Sequence, residues 1–312
     1  MDFAISGTHI NPLYLMGAGL VIGILGGFFG VGGSFLAGPA LFALGVPMNF
    51  VVGTDLAHIV GKSIVAARKH SQLGNIDFKL GFLMVGGTIP GVEAGAQGIQ
   101  YLKRAGDVNQ VVAIAFIVVL VSVSLFVAWE SLKTLGLLKH KNIRQMHSVG
   151  SGRASRGDVS AFAGLAKRIH LAEWPPMLSL RSSGIKRISI WPVLLVAFVG
   201  GAFSGFLGGG AGYIRMPALV YLLGVPTHVA VGTDLFEIII SAGYGTLTHG
   251  FKGNVDILIA LVMHTGGAIG AQLGATLTEY FKGPRLRLAF VPLPLLGALL
   301  IIYTLVTGHH LG

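Results

Sequence analysis

Cysteine is absent from the 312 residues, and charged residues make up only 11% of them. Without thiols the chain has no disulfide framework, no cysteine nucleophile and no thiolate metal site. Its charge falls well short of the roughly 25% of a soluble domain. Enzyme motifs are also missing. Gly61-Lys62-Ser63 looks like the tail of a phosphate-binding loop, but the earlier glycine that loop requires would stand at position 56, which is Leu56. The glycine clusters fail the G-x-G-x-x-G pattern at Phe35 and at Tyr213. There is no H-E-x-x-H and no sign of a nucleophile triad. No metal, no cofactor and no enzymatic activity is expected.

What the chain has is hydrophobicity, 53% of its residues, and 48 glycines. Apolar runs near the roughly 20 residues needed to cross a bilayer recur at Leu13–Phe29, Phe50–Ala67, Phe78–Leu102, Val108–Trp129, Ile190–Leu207, Val229–Thr248, Val255–Phe281 and Leu286–Val306. Phe35–Val46 and Ile214–Val225 are too short to span. The fold class is therefore an all-α polytopic membrane protein. Asp2 precedes the first run and no Lys or Arg does, so the basic region of a cleaved signal peptide is lacking and the run is expected to remain as an anchor. The net charge of +10 does not point to nucleic acid: 11 of the 22 Lys and Arg lie in the segment 131–187, a positive-inside pattern.

The chain is duplicated. Gly30-Val-Gly-Gly with Pro39 matches Gly208-Gly-Gly-Ala with Pro217 at an offset of 178. One inserted residue later, Gly45-Val-Pro matches Gly224-Val-Pro, and Gly53-Thr-Asp-Leu matches Gly232-Thr-Asp-Leu. His70 then matches His249, Gly74-Asn-Ile-Asp matches Gly253-Asn-Val-Asp, and Gly87, Gly91 and Gly95 match Gly266, Gly270 and Gly274. Chance likeness between apolar helices does not keep polar and glycine positions in register. The domains expected are a first transmembrane repeat over 1–130, a basic cytoplasmic linker over 131–188 and a second transmembrane repeat over 189–312. The linker is Gly-, Ser- and Arg-rich at His147–Asp158, with a β-hairpin suggested by the alternation in 177–190.

Each repeat reads as a glycine-broken long–short helix pair, either a hairpin or a re-entrant loop, followed by three spans. Loop charges favour inverted copies. Inversion places Arg68, Lys69, Lys79, Lys282, Arg285 and Arg287 inside against Lys103, Arg104 and Lys252 outside; parallel copies give four inside against five outside. Both termini are then outside.

An ionised group at the centre of a membrane helix costs roughly 2.5–3.5 kcal/mol, so each one needs a partner, water or a task. Lys62 and Arg215 are the cations at membrane depth; Asp55, Asp234, Glu237 and Glu93 are the acids, accompanied by His58 and His264. Asp55, His58 and Lys62 share one helix face, and their repeat mates Asp234, Glu237 and Ser241 share the equivalent one. Mutual pairing, Lys62 with Asp55 and Arg215 with Asp234, is the structural alternative, and either aspartate could cap a helix start. Arg215 follows the break Gly208–Gly212, where free backbone N–H groups and a planar donor fork both suit an anion. Gly87, Gly91 and Gly95 suit close helix packing. His70 and His249 read as helix-end residues, and His264 as a core histidine.

The doubled G-x-G-G…P-A-L…L-G-V-P…V-G-T-[SD]-L…G-N-[VI]-D pattern resembles the TauE/SafE family of sulfite and organosulfonate exporters, within the four-toluene-sulfonate-uptake permease group. The resemblance covers about 13–130 and 189–307. It implies transport, usually outward, of sulfur-containing anions such as sulfite or sulfoacetate across the bacterial inner membrane. Asp55 and Asp234 stand where many relatives have Ser, which adds two acids. The combined expectation is alternating access around an anion held between the two breaks by Arg215 and Lys62. Gly32, Gly33, Ser34, Gly210 and Gly212 would line it from the breaks, and Thr54, Thr233 and Ser241 from the polar faces. Asp55, Asp234, Glu237 and His58 are the candidates for coupling or gating. The partners expected are a small anion, a coupling proton or cation, membrane lipids and a second copy in a homodimer. A passive anion channel, or an intramembrane sensor or enzyme, are the other readings.

Overall fold

The computed structural model describes residues 1–30, 32–134, 174–209, 212–281 and 289–308. A short hairpin, β1 (Asp2–Phe3) with β2 (Thr8–His9), leads into α1 (Pro12–Phe29), α2 (Ser34–Ala43), α3 (Met48–Gln72), α4 (Phe78–Ala105) and α5 (Val108–Thr134). A second hairpin, β3 (Met177–Leu180) with β4 (Ile185–Ser189), leads into α6 (Ile190–Leu207), α7 (Gly212–Tyr221), α8 (Thr227–Phe251), α9 (Ile257–Leu277) and α10 (Pro292–Thr307). The order hairpin, long, short, long, long, long thus occurs twice. The Gly- and Ser-rich part of the linker lies outside the described residues.

Among the described residues, five helical stretches are long and apolar enough to cross a membrane: α1, α3, most of α5, α6, and Ile257–Tyr280, which contains α9. Helices α4 and α8, with 28 and 25 residues, have the length but carry more glycine and polar residues. Helix α10 has 16. The chain is a polytopic helical membrane protein.

The short helices follow from glycine. Gly30 takes φ 73°, which ends α1 in the left-handed conformation with its N–H on Gly26 O, and Gly33 at φ 74° opens α2.

The two copies are woven together. Helix α1 packs along α9: Cβ atoms on Gly19, Gly23 and Gly27 would stand 2.0, 2.3 and 2.4 Å from the carbonyl oxygens of Met263, Gly267 and Ala271. Gly266, Gly270 and Gly274 meet Met16, Leu20 and Ile24 O in return, at 2.1, 2.2 and 1.9 Å. The mates α4 and α6 repeat the seam, with Gly87, Gly91 and Gly95 on Leu194, Phe198 and Ala202 O at 2.5, 2.2 and 2.2 Å. In both seams backbone rests on backbone, so no side chain larger than hydrogen fits.

The central mates α3 and α8 run antiparallel. Thr54, near the start of α3, accepts from the Asp256 N–H just beyond the end of α8 (2.9 Å). Thr233, near the start of α8, accepts from the Asp77 N–H just beyond the end of α3 (2.9 Å). Beside them Gly53 and Gly232 admit Asn254 O and Asn75 O, each 2.2 Å from where a Cβ would sit. The G-T-D-L element of each copy therefore locks onto the G-N-x-D element of the other.

Candidate functional site

Helices α3 and α8 carry the polar stripes through the middle of this weave. Asp55, His58, Lys62, Arg215, Asp234, Glu237 and Ser241 are each at most 2% exposed. They divide into two centres. Leu56 and Ile59 of α3 form a separate apolar cluster with Ile238 and Ala242 of α8.

In the first centre Arg215 is held by two carboxylates. Its Nε donates to Asp234 Oδ1 (2.9 Å) and its Nη1 lies 2.5 Å from Glu237 Oε2. Ser241 Oγ donates to the same Glu237 oxygen (3.2 Å), and Thr88 faces Glu237 from α4. Gly200 makes the room: a Cβ there would stand 2.2 Å from Arg215 Cγ. The repeat mates of Gly200 and Arg215 are Ile22 and Ala37, so the bulk lies on the long helix in one copy and on the short helix in the other. Arg215 Nη2, Asp234 Oδ2 and Glu237 Oε1 have no hydrogen-bond partner among the described residues.

The second centre gathers around Lys62. Its Nζ lies 3.2 Å from His58 Nδ1. An ammonium only donates, so Nδ1 accepts and the ring proton is on Nε2. Asp55 Oδ1 is 3.8 Å from the same Nδ1, beyond hydrogen-bonding distance. Both Asp55 oxygens, His58 Nε2 and the hydroxyl of the buried Tyr213 lack partners among the described residues. Tyr213 approaches Asp55 from α7 and His264 approaches Lys62 from α9. Two glycines admit the rings: a Cβ on Gly61 would be 2.2 Å from His264 Cε1, and one on Gly267 would be 2.7 Å from His58 Nε2. The mates of Gly61 and His264 are Ile240 and Val85, so this histidine pocket exists in one copy only.

The glycine breaks meet over α3. A Cβ on Gly32 (φ 67°) would lie 2.1 Å from Ile59 Cδ1 and 3.7 Å from Gly209 O of the other break. Gly30 rests on Val231 of α8, and Gly208 on Val52 of α3. Gly33 and Ser34 open α2, and Gly212 opens α7. Gly210 and the Ser34 side chain lie outside the described residues.

Several residues singled out from the sequence have other surroundings. The Thr54 and Thr233 hydroxyls are engaged in the lock between copies. His70 and His249 are buried; each Nε2–H donates to a carbonyl, Gly27 O (3.2 Å) and Gly205 O (2.9 Å), tying α3 to α1 and α8 to α6. Glu93 is not a deep acid but a partly exposed partner of Lys252 (3.0 Å) and Thr248 (2.6 Å). Lys62 contacts His58 rather than pairing directly with Asp55. Sequence reasoning passed over Tyr213 as a site residue and treated His264 as core, because face periodicity does not say which side chain of a neighbouring helix arrives opposite.

Two similar sets of helices, with α3 and α8 antiparallel between them, enclose buried ion centres in a multi-pass helical membrane protein. The family model "Sulfite exporter TauE/SafE" matches residues 15–301, and the chain belongs to that family. It is similar to two proteins of Bacillus subtilis, the "Probable membrane transporter protein" YunE, 26% identical over 271 residues (84% of this chain, 86% of the relative), and YjnA, 24% identical over 288 residues (91% and 97%). A third, YdhB, is 32% identical over 114 residues (36% and 46%). No solved structure matches the chain.

Proposed function

We propose that the protein is a secondary transporter of small sulfur-containing oxyanions, such as sulfite, sulfoacetate and other sulfonates, working by alternating access. The observation that carries this reading is the second centre: a buried lysine whose hydrogen-bond partner among the described residues is a neutral imidazole, three residues on from Ile59, where the two glycine breaks meet. Lys62 provides the positive charge, His58 Nε2–H and the Tyr213 hydroxyl are free donors, and oxyanions accept such bonds. Arg215 has two acids on it already and contributes one free edge, Nη2. Because every member of the centre on α3 is buried, ligand entry requires the helices to rearrange. Oppositely oriented copies that rock against each other supply such a movement.

The test is counterflow. Proteoliposomes loaded with unlabelled anion should accumulate labelled sulfite, sulfoacetate or methanesulfonate, saturably and faster than unloaded vesicles. Non-saturating flux without trans-stimulation would identify a channel, and no uptake of any of the three would overturn the reading.

A further inference from the structure

We infer that Asp55 carries a proton whenever the Lys62 centre carries an anion, so that anion and proton move together. This deepens the transporter reading above and rests on it.

Asp55 and Asp234 occupy the same position of the two copies, yet their surroundings differ in one decisive respect. Asp234 is bonded to Arg215 at 2.9 Å. The mate of Arg215 is Ala37, so no guanidinium reaches Asp55. What does face it is limited. On its own helix are His58, 3.8 Å away and turned toward Lys62, and Lys62 itself, whose Nζ is directed to His58. From α7 comes Tyr213, with a hydroxyl unpartnered among the described residues, and from α9 comes His264, whose ring sits over Gly61. Among the described residues, the other buried charges nearby are those of the Arg215, Asp234 and Glu237 group, which pair with one another. A fully buried carboxylate with both oxygens unbonded is costly unless it is neutral or paired. With the site empty, Lys62 is its counter-charge. An anion at Lys62 takes that counter-charge away, and a proton on Asp55 restores the balance.

The step conserves charge. A proton from water on the loading side forms an O–H bond on Asp55 as the anion binds, and it leaves to water on the opposite side with the anion. Lys62 stays protonated throughout. By linkage, proton and anion raise each other's affinity equally, so anion affinity rises as pH falls.

The experiment follows protons and anions together in proteoliposomes, using a pH dye and methanesulfonate, which stays ionised throughout. Wild type should move about one proton per monoanion in the same direction. In Asp55→Asn the proton-to-anion ratio should fall to the leak level, while Asp55→Glu should restore it. Anion exchange by wild type without protons, or an unchanged ratio in Asp55→Asn, overturns the inference while leaving the transporter reading intact. Absence of exchange by wild type overturns both. Should Asp55→Asn move no anion, infrared difference spectra on methanesulfonate addition decide. A protonated-carboxyl band that appears in wild type and is missing from the variant supports the assignment; a band common to both defeats it.

Discussion

Arg215 and Lys62 are both buried cations, but their environments assign them different work. One guanidinium between Asp234 and Glu237 is an ion group whose removal leaves two uncompensated carboxylates. Breaking such a group costs about 3–5 kcal/mol, whereas replacing all its charges with neutral groups can be nearly neutral. Arg215→Met should therefore lower the unfolding midpoint in detergent sharply, and adding Asp234→Asn and Glu237→Gln should restore most of it. A single variant as stable as wild type would show that the contacts are not structural. Lys62 has no such double obligation, which makes it the better probe of function. The space around both cations is set by glycine. Gly267→Val places a side chain where His58 Nε2 lies, 2.7 Å from the first added carbon; overpacking of this kind costs about 1–3 kcal/mol. It should also weaken anion uptake through displacement of His58, and unchanged uptake would remove His58 from the site. The stripe Asp55, His58 and Lys62 was legible from helical spacing alone. Its neighbours Tyr213, His264 and Gly267 were not, because they approach from other helices.

The elements show the duplication in a form that extends beyond the transmembrane segments. Ser6 in the first hairpin donates from N (3.1 Å) and Oγ (2.8 Å) to Asp256 Oδ2. Ser183 in the second donates from N (3.1 Å) and Oγ (2.8 Å) to Asp77 Oδ2. Each aspartate also caps its own helix, Asp77 accepting from Leu80 N and Asp256 from Leu258 N and Ile259 N. The hairpin before each copy thus fastens the fourth helix of the other copy. Ser6→Ala and Ser183→Ala should each cost about 0.5–1.5 kcal/mol and, by their matching geometry, nearly the same amount. A large effect at one site with none at the other would contradict the equivalence. The second hairpin was readable from its alternating residues. The first was not, since strands of two residues have no periodicity. The signal that was available is the repeated Ser-Gly turn, Ser6-Gly7 and Ser183-Gly184, with φ 70° at both glycines.

At the scale of the molecule, antiparallel mates put Ser6 and Asp256 at one end and Ser183 and Asp77 at the other. The loop charges predict that the second end faces the cytoplasm. The cysteine-free chain makes this directly testable. A cysteine at Asp107, between α4 and α5, should react with an impermeant thiol reagent from outside intact cells, and one at Arg181 only after lysis; labelling of both from outside would reject the orientation. The duplication, the helical class and the family pattern were all readable in the sequence. That the glycine, Thr-Asp and Asn-x-Asp elements engage the opposite copy was not, because a repeat reveals equivalence and not contact. The central claim is that the anion rests on the Lys62 centre of this asymmetric pair. Its most direct test is counterflow of sulfite and methanesulfonate by Lys62→Met in proteoliposomes, with monodispersity checked by gel filtration. Loss of a charged contact worth about 1.5–3 kcal/mol predicts uptake reduced by about tenfold or more in a folded protein. Uptake at the wild-type rate and affinity would contradict the account.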